Sequence, residues 1–151
     1  MDTLSVIHAV VNRLRECHPN MDVFISSAAP EEYIPTQRQV TVLIQYCGSV
    51  FATPESTDAI VQKQTLHMAA TVIVAEISEA INTLDQIRHT LGGISLPGCD
   101  LPLWLDNEKY LGESGGFCRH NLEMVASTLF IADRESKDLP LLTIVNYEEI
   151  Q

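Results

Sequence analysis

The sequence predicts an α+β domain in which two helices pack on one largely antiparallel sheet, in the order α-β-β-β-α-β-β-β. Three observations predict it. Two segments repeat apolar residues at helical spacing, six others carry strand-like patterns, and a length of 151 residues suits a single domain spanning 1–151.

The first helix is expected from Asp2 or Thr3, either of which can cap it, to near Pro19. Leu4, Ile7, Val11 and Leu14 form its apolar stripe, with Val10 alongside. Val23–Ser26 is a short strand. In the following segment, Pro30 and Pro35 make a regular element improbable, so a loop is expected. From Arg38 to Cys47, Val40, Val42, Ile44 and Tyr46 alternate with Thr41, Leu43 and Gln45, which predicts a half-buried strand. Gly48–Asp58, with Pro54 inside it, reads as a connection. A long strand follows, with Gln62, Gln64, Leu66, Met68, Ala70, Val72 and Val74 on one face. Its polar start and apolar end suggest that it projects past the core.

The period then changes. Ile77, Ala80, Ile81, Leu84, Ile87, Arg88 and Leu91 recur at helical spacing, and Gly92-Gly93 stops the helix. Ile94–Pro102 reads as a loop. Leu103–Leu111 and Phe117–Ile131 form a hairpin across Gly112–Gly116, with glycines supplying positive φ. Arg134–Pro140 is a charged turn and Leu141–Tyr147 a last strand.

Composition narrows the function. Nine basic against twenty acidic residues give a net charge of −11, without the clustered Lys and Arg that nucleic-acid binding draws on. No apolar run is long enough for a membrane span, and the N-terminus lacks a signal-peptide pattern. The cysteines at 17, 47, 99 and 118 have no zinc-knuckle spacing, so reduced, non-functional thiols are expected.

Candidate chemistry is sparse. Cys118 and His120 share a strand face, as a nucleophile and base or metal pair would, but no third orienting group can be named. Asp106, Glu108 and Glu113 do not follow calcium-loop spacing. The glycine-rich stretch at 92–98 lacks the Gly-Lys-Ser/Thr ending of a phosphate loop. Trp104, Tyr110 and Phe117 fit either interface anchors or core residues. No catalytic residue, metal or cofactor is assigned.

Val42-Leu43-Ile44-Gln45-Tyr46-Cys47-Gly48-Ser49, then Val61-Gln62-Lys63-Gln64-Thr65-Leu66 opening a long strand before an amphipathic helix, resembles the tail terminator family of Mu-like phages and prophages. Leu96-Pro97-Gly98-Cys99, Tyr110-Leu111-Gly112-Glu113 and Gly115-Gly116-Phe117 resemble that family's closing hairpin. The resemblance covers roughly residues 4 to 131. Cys118 and His120 stand where the family often has aromatics.

The resemblance implies a structural protein. Copies of the chain form a ring, commonly of six, on the last ring of the tail tube. The ring ends tube growth and presents a surface to the head. Its partners are then itself, the tail tube protein and a head-completion or neck protein, with no specific nucleic acid, no membrane and no cofactor. The host cytoplasm during assembly and the virion tail are its expected locations. Tyr46, Gln62, Gln64, Trp104, Tyr110 and Phe117 are the expected subunit or tube contacts. Two readings stay open beside it: another neck or tail-completion protein, or a small cytosolic enzyme using Cys118 and His120.

Overall fold

The computed structural model describes residues 2–26, 29–36, 39–55 and 60–133. Helix α1 (Thr3–Cys17) starts where the Asp2 carboxylate accepts from the Leu4 N–H at 3.2 Å. It ends where the His18 N–H donates to the Leu14 carbonyl at 2.8 Å. Strand β1 (Asp22–Ile25) follows, then a three-residue 3-10 turn at Pro30–Glu32. Strands β2 (Thr41–Phe51) and β3 (Val61–Val74), helix α2 (Ile77–Leu91), and strands β4 (Leu101–Ser114) and β5 (Phe117–Ile131) complete the described order. The expected strand at Leu141–Tyr147 and the turn at Arg134–Pro140 lie outside the described residues.

The five strands form one sheet in the order β1-β2-β3-β5-β4. Among the described residues only β1 and β2 pair in parallel, with Asp22 opposite Thr41 and Ile25 opposite Ile44. The β2–β3, β3–β5 and β4–β5 pairs are antiparallel. This is the two-layer α+β architecture expected from the sequence.

Both helices lie on one face. Val6, Val10 and Leu14 of α1, with Ala80, Ile87 and Leu91 of α2, meet Val42 and Ile44 of β2 and Leu66, Met68, Ala70 and Val72 of β3 in the main core. The helices are also tied directly, because a ring nitrogen of His18 lies 2.6 Å from the Thr90 hydroxyl. Leu4, Ile77 and Ile81 were expected on the buried stripes and are exposed instead. Leu4 and Ile77 occupy first turns, and Ile81 sits on the flank of its stripe.

The opposite face carries a small core of Leu43, Ile73 and Phe117. Part of it is crossed by the segment around Pro30. Arg119, almost wholly buried, donates from Nη1 to the Pro30 carbonyl at 3.0 Å and from Nη2 to the Ser114 carbonyl at 3.2 Å. Charge-assisted bonds to two carbonyls compensate a guanidinium taken out of water and pin the crossing segment to the sheet.

Four expected boundaries change, the first being the start of β2, which begins at Thr41 and leaves out Val40. Residues 48–51 continue β2 instead of leaving it, because a bulge between Tyr46 and Gly48 absorbs one residue, with Gly48 at φ +128°. β4 begins at Leu101 despite Pro102, which an edge strand tolerates. It also runs to Ser114, so the hairpin turn is Gly115-Gly116 alone, both at positive φ.

Candidate assembly surface

Strand lengths dictate where the subunit is bare. At about 3.3 Å per residue, the 14-residue β3 spans roughly 46 Å, whereas each 15-residue helix covers only about 22 Å. The sheet overhangs its helices. At the overhanging end, β2 residues 48–51, the start of β3 and the end of β5 lie side by side. Phe51 pairs in register with Gln64, and Gln62 with Phe130.

Apolar residues crowd this end. Val50, Phe51, Ile60, Leu129, Phe130 and Ile131 are all exposed, Val50 at 61% and Ile131 at 62%. The Phe51 and Phe130 rings meet edge to face on the helix-side face, with centroids 6.0 Å apart. Val50, Leu129 and Ile131 point to the other face by register. Exposed apolar side chains gathered at one end of the sheet make this the candidate interaction surface among the described residues. The projecting end, expected from the polar start of β3, thus carries apolar side chains on β2 and β5 beside that start. Its signal was present, since consecutive apolar residues such as Val50-Phe51 and Leu129-Phe130-Ile131 must place side chains on both faces of a strand.

The expected contact residues divide between surface and interior. Tyr46 is exposed, and its hydroxyl lies 2.5 Å from the Ser49 hydroxyl. Gln62 donates to the Ala52 carbonyl at 2.9 Å, while Gln64 is buried and donates to the Ser49 hydroxyl at 2.9 Å. These two glutamines join β2 to β3 beneath the aromatic pair. Trp104 and Tyr110 are exposed on β4, with the Tyr110 ring tilted against that of His120, centroids 5.0 Å apart. Phe117 packs within the subunit against Leu43 and Ile73.

Cys118 and His120 share a face of β5, but the Cys118 sulfur lies against Glu113 and the His120 ring against Tyr110. Burial pushes the Cys118 thiol up, and Glu113, 4.0 Å from the sulfur, adds to the shift. Burial pushes His120 down, against a smaller opposing pull from Glu108. A thiol raised by burial and by a neighbouring carboxylate is the reverse of the lowered thiol that an activated cysteine nucleophile needs. Glu108 is instead paired with Arg88, which also holds Asp85. Among the described residues, no group of three or more His, Cys, Asp or Glu side chains could hold a metal ion. None of their helices is long and apolar enough to cross a membrane.

A second apolar feature flanks β2. Leu4 and Ile7 of α1, Ile25 at the end of β1, and Tyr46 line an open groove with Thr3, Ser26 and Gln45. It lies on the helix side of the sheet, where β1 stops and β2 continues.

The fold has a solved counterpart. A chain from the virion of a native gene transfer agent particle superposes with a TM-score of 0.61 at 15% identity, covering 85% of this chain and 97% of that one. No curated protein matches the sequence. The family comparison reaches further along the chain than the resemblance read from residues 4 to 131: residues 10–149 match the Gp37 protein family, and the chain belongs to it.

Proposed function

We propose that the chain is a phage-type structural protein that closes the end of a tail tube as a ring, stops addition of tube subunits and presents a surface to a head-completion or neck protein. Membership of the Gp37 protein family and a fold shared with a gene transfer agent virion chain support a structural protein of phage type. The observation that carries the assembly role is the overhanging sheet end, where Phe51 and Phe130 are packed on each other yet remain half exposed. Such a surface is costly in water unless a partner covers it.

A ring requires unlike surfaces on one subunit that meet repeatedly and close. The aromatic end and the groove beside α1, which includes Tyr46, are two such surfaces, and Trp104 and Tyr110 add exposed aromatic contacts on β4. A non-catalytic role fits Cys118 as well, since burial and Glu113 set its thiol against thiolate formation. The net charge of −11 per subunit opposes untemplated closure at low salt, and a tube end offsets that by holding subunits at high effective concentration.

Electron microscopy of the purified protein mixed with its own tail tubes tests this reading. A ring of density, commonly six-fold, on one tube end is expected. Binding elsewhere on the tail or neck supports a different completion protein, and no binding contradicts both.

A further inference from the structure

The pairing of β2 is incomplete. β1 pairs with it only as far as Ile44, and the Ser26 N–H donates to the Ile44 carbonyl at the last step, whereas β2 runs on to Phe51. Among the described residues, no strand pairs with Gln45–Phe51 on the side away from β3. Seven residues, about 23 Å of backbone, thus form an open edge, which an extended segment satisfies by adding as a strand. The apolar groove of Leu4, Ile7, Ile25 and Tyr46 lies directly beside it.

We propose that this edge receives the run Leu141–Tyr147 from the C-terminal segment of a neighbouring copy, as an added strand with apolar side chains in the groove. The inference rests on the ring reading above. The run Leu-Leu-Thr-Ile-Val-Asn-Tyr has seven uncharged residues, rich in strand formers, bounded by Pro140 and by Glu148-Glu149. Its length equals that of the open edge. It also lies within the stretch matched to the family, which extends to residue 149.

The ring reading selects a neighbour's edge, since the subunit's own β2 edge, beyond β3 and about 14 Å from β5, lies within reach as well. β5 ends at Ile131 and the Ala132 N–H donates to the Ile60 carbonyl, so the chain leaves the sheet with β3 and the β2–β3 connection between it and the open edge. Seven residues lie between Asp133 and Leu141, a reach of roughly 25 Å, enough to extend past the subunit's own sheet to an adjacent copy. Donation from the end of one chain to the side of the next joins unlike surfaces, the kind of contact that repeats around a closed ring.

Cys47, exposed in the bulge on this edge, serves as a native probe. One full-length variant keeps Cys47. A second, carrying a size tag, combines Cys47→Ser with Thr143→Cys, Ile144→Cys or Val145→Cys, and Cys17→Ser is present in both. The two are mixed, assembled on tube ends and oxidised mildly. Adjacent strands bring Cα atoms within disulfide range, so at least one of the three positions should give a disulfide between tagged and untagged chains. Ile144→Pro with Val145→Pro should reduce occupancy of tube ends about tenfold or more, with the thermal unfolding midpoint unchanged. Rings that assemble without the mixed disulfide overturn the inference and leave the ring reading standing. A disulfide confined to single chains, in a variant holding Cys47 and Ile144→Cys together, also overturns it. Failure to assemble on tube ends at all removes the ring reading and this inference together.

Discussion

Phe51 and Phe130 come from strands that never pair with each other, yet their rings meet edge to face at 6.0 Å, across the β3 strand that separates them. Both remain more than two-fifths exposed. The pair is therefore organised by the subunit and left for something else to cover.

Replacing both rings, as Phe51→Ser with Phe130→Ser, is expected to abolish assembly on tube ends while lowering subunit stability by about 2 to 3 kcal/mol, since each ring is about half buried. Sedimentation velocity with tubes and thermal unfolding without them check the two halves. A loss of stability well above that would make the pair a core element.

Ile44 lies at the other extreme of exposure. It is fully buried between the helices and the sheet, so Ile44→Ala should cost about 2 to 5 kcal/mol. Urea unfolding of the subunit gives the value, and a cost below about 1 kcal/mol would contradict the packing described.

His120 makes acid weaken the fold. Burial lowers its pKa in the folded subunit below the ordinary value of about 6.5, so the unfolded chain binds the proton more readily. Its contribution is fully present above about pH 6.5 and is lost as pH falls through the folded pKa. His120→Gln should flatten the stability profile in that window. An unchanged slope in denaturation curves from pH 7.5 to 5 would place the titration elsewhere.

The cysteines should react in order of exposure. Cys17 and Cys47 are exposed, whereas Cys118 is buried and its thiol is pushed up. Alkylation followed by mass spectrometry is expected to label the first two in the native protein and Cys118 only slowly. Unusually fast labelling of Cys118 would revive a catalytic reading.

The elements that follow a clean period were legible in the sequence. Val42 and Ile44 against Leu43, and Leu66 through Val74, assign their own faces because one side of each strand meets the helices. What escaped was set by irregularity and by distant contacts. Cys47-Gly48-Ser49 reads as a turn, because a bulge breaks the alternation on which a strand is recognised. Phe117 looked as much like a surface anchor as a core residue, since only the fold brings Leu43 and Ile73 to it. Arg119 gave no local signal at all, because its partners are main-chain carbonyls, one of them 89 residues away. The aromatic end was written in consecutive apolar residues, but Phe51 and Phe130 become one surface only through the pairing order β2-β3-β5.

The central claim is that this protein ends tail-tube growth. Deleting its gene from an inducible prophage and measuring tail lengths by electron microscopy tests that most directly. Overlong or headless tails are the predicted result, and tails of normal length joined to heads would contradict it.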